Sequence, residues 1–125
     1  MPFKVGHIYH FKPCRASNPT KDKYAICMSA EYSWFYLINS CSDVPPKRPY
    51  EHEKGLTVIL QPYQISPMTK KSYINVNRIV SITSDDYDEY REYNQVSNMI
   101  WLTIKALCIA KRPKDITNKI YGTQI

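Results

Sequence analysis

The sequence predicts a mainly β fold: a small antiparallel barrel that ends in one amphipathic helix. Tyr is abundant, with 11 copies, and Gly is scarce, with three; aromatic and β-branched enrichment favours strands. The apolar segments are short and Pro-rich loops separate them. No helical segment lies between the strands to make parallel crossovers. Closure into a barrel is therefore how so small a sheet would remove its edges.

A hairpin is the clearest element of the chain. Lys23 to Ser29 (KYAICMS) alternates apolar residues on one face, as a half-buried strand does. Trp34 to Asn39 (WFYLIN) is apolar on both faces, which is typical of a central strand that is covered from both sides. Ala30 to Ser33 makes the tight connection between the two strands.

Further strands are expected on both sides of this hairpin. In the segment from Val5 to Phe11, the odd-numbered positions Val5, His7, Tyr9 and Phe11 share one face, and Ile8 and His10 share the other. A shorter strand is predicted over 56–60, and one or two more are predicted over 72–76 and 78–83. The two histidines His7 and His10 point to opposite faces, so they cannot chelate one metal ion.

The C-terminal third of the sequence is predicted to be helical. Asp85 to Glu92 is acidic, as the first turns of a helix prefer, with Ser84 as its cap. The clearest helix begins at Ser97, and Pro113 ends it. Its buried stripe is predicted from 3.6-residue spacing at Ile100, Ile104, Leu107 and Cys108. We expect one domain over 1–112 and a loosely held basic tail over 113–125.

Charge is unevenly distributed along the chain. The formal net charge is +6, but five of the 11 acids lie in the stretch 85–92 beside a single base, Arg91. The rest of the chain carries 16 basic against 6 acidic residues, a net of +10. This asymmetry suits a polyanionic partner, and it is equally compatible with a soluble protein that simply has a basic pI.

Neither a membrane nor a cofactor is predicted as a partner. The N-terminal residues lack the apolar core of a secretory signal, and the longest apolar segment, 99–110, is too short to span a bilayer. We therefore expect a cytoplasmic protein with free thiols. The four cysteines contain no C-x-x-C pair, and no cluster of Cys, His and carboxylates has metal-ligand spacing. With three Gly there is no phosphate-binding glycine loop.

Four short segments together resemble a known family. VGHIY (5–9) resembles an opening "GDI" strand, KYAICMS (23–29) an Arg-Pro-hydrophobic strand, LINS (37–40) a strand that ends in Thr-Ser, and SYINVNRIVSI (72–82) a later strand that carries a Ser. In this order, over about residues 4–110, they resemble the PemK/MazF-like family of toxin endoribonucleases. The resemblance implies an SH3-like barrel, a homodimer, an antitoxin partner and single-stranded RNA as substrate.

The same resemblance suggests site residues, with departures from the family pattern. The family's Arg falls on Lys23, and its Thr-Ser pair falls on Asn39 and Ser40. Lys offers a point charge where Arg holds a phosphate bidentately. His7 replaces the Asp of "GDI".

Cleavage by the RNA 2′-hydroxyl needs a base, an acid and a cation, but no metal. If the hairpin pairs, Lys23 and Ser40 meet at one rim of the barrel. Lys23 would stabilise the phosphate, Ser40 would position the reacting oxygens, and His52 would act as acid or base. The alternative is structural: Lys23 starts a strand in solvent and Ser40 caps a turn.

Basic and aromatic residues in two loops are the candidates for nucleic-acid binding. The loop after the first strand is basic, and the Pro-rich loop 42–55 mixes cations with an aromatic ring, as single-strand binding requires. A plain solvated loop remains the alternative reading. The candidate residues are Lys12, Arg15, Lys47, Arg48, Tyr50 and Lys54.

Two functions remain open from the sequence. The first is a PemK/MazF-like, metal-independent endoribonuclease that acts on single-stranded RNA. The second is a non-catalytic binding module of phage or mobile-element origin, which binds nucleic acid or inhibits a host nuclease or defence protein. The order of the four segments favours the first function, and the lost Arg and Thr favour the second.

Overall fold

Seven strands and two α-helices form in the part of the chain that the computed structural model describes, residues 3–40, 55–65 and 68–121. The strands are β1 (His7–Cys14), β2 (Lys21–Ser29), β3 (Trp34–Ser40), β4 (Thr57–Leu60), β5 (Ser72–Asn75), β6 (Ile79–Ser81) and β7 (Glu89–Gln95). The helices are α1 (Asn98–Lys111) and α2 (Lys114–Tyr121).

All strand pairings are antiparallel, in the order β4-β5-β3-β2-β1-β7. The sheet divides at β3: its first half pairs with β6, where Trp34 faces Ser81, and its last residues pair with β5, where Ser40 faces Ser72. The mainly β prediction is confirmed. Between the described residues of the edge strands β4 and β7 no pairing is found, so the predicted closure of the barrel is not observed there.

The predicted β2–β3 hairpin is confirmed and is slightly longer than expected. Tyr24 faces Ile38 and Cys27 faces Phe35 across it. Ser33, in the connection, has a positive φ of 54°, a value that turn residues adopt more readily than strand residues.

Two separate cores lie on the two faces of β3. Tyr36 and Ile38 pack into the first core with β2 and the helix α1. Phe35 packs into the second core, which contains Tyr9 and Phe11 of β1. Because consecutive strand residues point to opposite faces, a strand that is apolar at every position needs a core on each side. The prediction of a central strand covered from both sides is therefore confirmed.

The helix α1 follows its sequence signals closely. The Ser97 side chain accepts a hydrogen bond from the backbone N–H of Ile100 at 3.3 Å, which caps the first turn. Ile100, Ile104 and Cys108 are buried, as the spacing predicted. Leu107 is partly buried against the same core.

The acidic stretch does not start a helix, contrary to the prediction. A single 3₁₀ turn spans Ser84–Asp86, and Thr83 rather than Ser84 caps it, because the Asp86 carboxylate accepts the Thr83 N–H at 2.8 Å. The chain then continues as β7, which pairs with β1. As an exposed edge strand β7 buries no regular stripe, so its sequence lacks the alternation that identifies strands.

A helix also forms where the sequence predicted a loosely held tail. The helix α2 packs on α1 and β2, and Tyr121 meets the ring of Trp101 with centroids 5.4 Å apart. Lys119 lies over the ring of Trp34 at 5.8 Å. Pro113 precedes the helix, where a missing N–H costs nothing. Residues 114–121 therefore belong to the folded unit.

The cysteines that the structure describes, Cys14, Cys27 and Cys108, are buried free thiols. Burial raises the pKa of the Cys27 thiol to about 12. Cys41 lies outside the described residues. No helix within the described ranges is long and apolar enough to cross a membrane.

Candidate nucleic-acid interface

The site residues that the sequence placed on the hairpin lie at its open end, where β2 begins and β3 ends. Two clefts flank this end. The larger cleft has a volume of about 520 Å³, and its lining includes His10, Tyr24, Ser40 and Lys70. The smaller cleft has a volume of about 220 Å³, and its lining includes Ser17, Asn75 and Arg78. Lys21, Lys23 and Asn39 border both clefts.

Lys23 is the most unusual charged residue of this region, because it is only 9% exposed. Its Nζ donates a hydrogen bond to Oδ1 of Asn39 at 2.6 Å. The ammonium forms no ion pair with any carboxylate in the described residues. Burial, and then the neighbouring charge of Lys21, lower the pKa of Lys23 below its ordinary value. The surroundings of Lys23 therefore disfavour its positive charge.

Strand alternation directs Lys23 towards the smaller cleft. Ala25 and Cys27, which share its face of β2, belong to the second core, and Tyr24 packs on the first. The residues that line the smaller cleft include three cations, Lys21, Lys23 and Arg78, with the amides of Asn39 and Asn75. Among the described residues of that lining there is no carboxylate. The smaller cleft is thus suited to an anion.

Ser40 occupies the exposed end of β3 and borders the larger cleft. Because Asn39 precedes it, alternation places its side chain on the face opposite to Asn39. The structure therefore brings Lys23 and Ser40 to the same end of the hairpin, as the sequence predicted. It gives Lys23 a different partner, Asn39, whose amide oxygen holds the ammonium.

A stacked ring pair dominates the larger cleft. His10 of β1 and Tyr24 of β2 face each other across the sheet, with centroids 4.1 Å apart and planes 22° apart. Burial, and then the charge of Lys12, lower the pKa of His10. The sequence predicts only that His10 does not chelate a metal ion together with His7, because nothing local indicates that β1 and β2 would place it beside Tyr24.

The predicted nucleic-acid residues have different surroundings. Lys12 is exposed on β1, opposite Glu89 of β7. Arg15 forms an ion pair with Asp88 at 2.7 Å and donates to the carbonyl of Asp85, so the acidic stretch occupies its guanidinium. The others lie outside the described residues: Lys47, Arg48, Tyr50 and Lys54, together with the predicted acid or base His52.

Sequence reasoning missed the cations that accompany Lys23. The sequence predicts a strand only from Lys23 and leaves Lys21 in the preceding loop, but β2 begins at Lys21, two positions before Lys23 and therefore on the same face. Arg78 is more than fifty residues further along the chain, and only the fold of the sheet brings it to the smaller cleft. The two-residue spacing of Lys21 and Lys23, which puts both on one face of a strand, was the one signal in the sequence.

The described residues contain no group of three or more His, Cys, Asp or Glu side chains that could hold a metal ion. His7 contacts Glu92, with Nδ1 3.3 Å from Oε2, and lies on the face opposite to His10. This arrangement agrees with the prediction that the two histidines do not chelate together.

Comparisons with known proteins leave the family open. No protein-family model matches the chain. A search of curated proteins also finds no match. The function must therefore be argued from the geometry of the two clefts and from the resemblance in sequence.

Proposed function

We propose that the protein binds single-stranded RNA and holds one of its phosphates in the smaller cleft. The buried ammonium of Lys23, without a carboxylate partner in the described residues and beside Lys21 and Arg78, is the observation that carries this proposal. A buried charge that lacks a counterion is costly. A phosphate oxygen would supply the missing negative charge, and the net of +10 outside 85–92 would attract the strand at long range.

The activity that we propose for the bound strand is the metal-independent cleavage implied by the PemK/MazF-like resemblance. The RNA 2′-oxygen attacks the adjacent phosphorus while the bond from phosphorus to the 5′-oxygen breaks. The products are a 2′,3′-cyclic phosphate and a 5′-hydroxyl. Lys23 stabilises the charge on the non-bridging oxygens, and Ser40 positions the reacting oxygens. His52 takes the proton of the 2′-hydroxyl and delivers it to the leaving 5′-oxygen.

The finer fold assignment belongs to the same proposal. We propose an SH3-like barrel for the whole chain, supported by the way β3 divides its pairing between β5 and β6 and so connects two parts of the sheet. The homodimer and the antitoxin partner remain predictions.

Fluorescence polarisation of a labelled single-stranded RNA, titrated with the protein, tests the proposed binding. We expect binding that weakens steeply with salt, because each phosphate contact releases counterions. Lys23→Met should weaken binding and reduce the salt slope by about 1. The control is Lys119→Met, an exposed lysine at the other end of the hairpin, beside Trp34, which should bind as wild type does. Salt-independent binding, or none at low salt, would refute the proposal.

A non-catalytic binding module is the second candidate function. The observation that favours it is strand alternation, which directs Lys23 and Ser40 to opposite faces of the sheet although both border the larger cleft, since one reacting phosphate would have to contact both. In that case the same clefts would hold RNA, or an acidic surface of a host protein, without chemistry.

Cleavage of a labelled RNA in the presence of a chelator separates the two candidates. The ribonuclease proposal expects cleavage to persist, and Lys23→Ala to lower its rate by about 10²- to 10³-fold. Lys23→Arg should keep or raise activity, because Arg restores a bidentate contact. RNA binding without cleavage by pure wild-type protein, or full cleavage by the Lys23→Ala, Ser40→Ala double variant, would favour the binding module.

A further inference from the structure

We propose that the larger cleft binds an unpaired RNA base by stacking it on the ring pair of His10 and Tyr24. This inference rests on the proposed RNA binding and adds to it the part of the substrate that the second cleft would recognise. It is carried by the row of planar groups that crosses the sheet at the open end of the hairpin.

The row runs over three neighbouring strands. Arg91 of β7 faces His10, and His10 faces Tyr24. The His10 and Tyr24 rings stack at 4.1 Å. Tyr93 of β7 contacts both Tyr24 and Arg91. The ring centroids of Tyr93 and Tyr24 are 5.8 Å apart, and the guanidinium carbon of Arg91 lies 5.1 Å from the centroid of the Tyr93 ring. Three contacts therefore connect four planar side chains on one face of the sheet, in the order His10, Tyr24, Tyr93 and Arg91.

This row lies where the first core meets solvent. Ile8 and Ile26, on the same face, are at most 1% exposed. His10 and Tyr24 are only partly buried, and they border a cleft of about 520 Å³. A row of rings that served packing alone would be expected within the core, as Tyr36 is. The exposed ring surface is instead open to a cavity large enough for a base.

The rim of the larger cleft supplies what a nucleotide needs besides stacking. Lys21 and Lys70 provide cations for the backbone beside one carboxylate, Asp22, and Ser40 provides a hydroxyl. Aromatic rings beside cations are the usual means of binding single strands, because every base has a π-face. Burial lowers the pKa of His10, so at neutral pH its ring is uncharged and stacks as an aromatic.

The two clefts are positioned to bind one RNA strand. They share Lys21, Lys23 and Asn39 as a common wall. An RNA strand that crosses the open end of the hairpin would place a phosphate in the smaller cleft and the next base in the larger cleft. Lys23 and Tyr24, consecutive residues of β2, would then serve the two parts of one nucleotide.

The test uses single-stranded RNA that carries the fluorescent base 2-aminopurine, whose emission falls when it stacks. We expect quenching on binding by the wild-type protein. His10→Ala and Tyr24→Leu should weaken binding by about tenfold and restore emission. His10→Phe keeps a ring and should bind within about twofold of wild type. RNA with abasic sites should bind the wild-type protein about tenfold more weakly than intact RNA does. His10→Ala should bind abasic and intact RNA equally.

The matched control is Tyr32→Leu. Tyr32 stacks on Trp34 at 4.8 Å beside Lys119, so the same kind of aromatic pair is removed at the opposite end of the hairpin. Its RNA affinity should not change.

Three outcomes separate the two proposals. If wild type binds RNA but His10→Ala, Tyr24→Leu and abasic RNA all bind as strongly, the stacking inference is overturned and RNA binding stands. If wild type binds no RNA at low salt, both proposals fail. If His10→Phe weakens binding as much as His10→Ala, the imidazole acts through a hydrogen bond and stacking is again overturned. Far-UV circular dichroism of each variant confirms that it is folded.

Discussion

Replacing Lys23 by Met should stabilise the free protein while it removes the proposed phosphate contact. Lys23 is 9% exposed, and burial and Lys21 both lower its pKa. A lowered pKa for a lysine means that the folded state binds its proton less tightly than the unfolded state does. The charge therefore destabilises the fold, and an apolar side chain of similar length removes this cost.

The size of the effect follows from two opposing terms. Exchanging buried ion pairs for apolar groups is often neutral or stabilises a protein by about 1–4 kcal/mol, and Lys23 has no carboxylate partner in the described residues to offset the cost of its burial. The lost hydrogen bond from the ammonium to Asn39 opposes this gain by about 1.5–3 kcal/mol, at the lower end here because Asn39 is partly exposed and can bond to water. We expect a net increase of about 1 kcal/mol in the free energy of unfolding.

Urea unfolding, followed by tryptophan fluorescence, measures this difference at pH 7 with and without RNA. A ligand at one hundred times its Kd stabilises the wild type by about 2.7 kcal/mol, which the variant should largely lose. The order of stability should therefore reverse when RNA is added.

The pH dependence of the stability difference tests whether the buried charge of Lys23 is its cause. The penalty is complete below the folded pKa of Lys23 and disappears as the pH rises through the ordinary value of 10.5. The stability difference between variant and wild type should accordingly shrink in alkaline solution. If Lys23→Met instead lowers the free energy of unfolding by more than about 1 kcal/mol at pH 7, Lys23 supports the fold, and its buried charge is no argument for an anion site.

The remaining predictions concern the fold and the acidic stretch. Ile104→Asp buries an unpaired charge beneath α1 and should cost about 3 kcal/mol, seen as a lower melting temperature; an unchanged melting temperature would show that α1 is not docked. All four thiols should be free, so intact-mass thiol counting after denaturation without reductant should detect four, and a smaller count would reveal a disulfide. Asp88→Asn releases the guanidinium of Arg15 and should strengthen RNA binding at low salt; equal affinity would show that Arg15 takes no part.

The elements that could be predicted from sequence are those whose burial is regular. The β2–β3 hairpin and α1 each bury a periodic set of side chains, and the N-cap Ser97 and the helix-stopping Pro113 mark the limits of the helix. The strand β7 and the helix α2 could not be predicted in this way. The strand is an exposed edge that buries no regular stripe, and α2 is only eight residues long, too short for its apolar spacing at Ile116 and Ile120 to establish a helical period.

The site was predictable only in its local part. Lys23 and Ser40 lie at the matching ends of two paired strands, and hairpin geometry alone predicts that. The partners that give the clefts their chemistry come from distant segments: Arg78 to the smaller cleft and His10 to the larger one. No local pattern encodes such contacts, because the sheet order determines them.

The side-chain alternation of β2 explains how one short segment can serve two clefts. Lys23 and Tyr24 are consecutive, so one points to the second core's face and the other to the first. Their cross-strand neighbours Asn39 and Ile38 repeat the pattern, a polar group on one face and an apolar group on the other. A shift of the hairpin register by one residue would exchange the two faces and place the ammonium against the first core. The residues Ala25 to Met28 are buried and apolar on both faces, so they do not oppose this shift by themselves, and the cost of burying the Lys23 ammonium against the first core does. The packing of the hairpin thus determines on which side of the sheet a phosphate and a base would be bound.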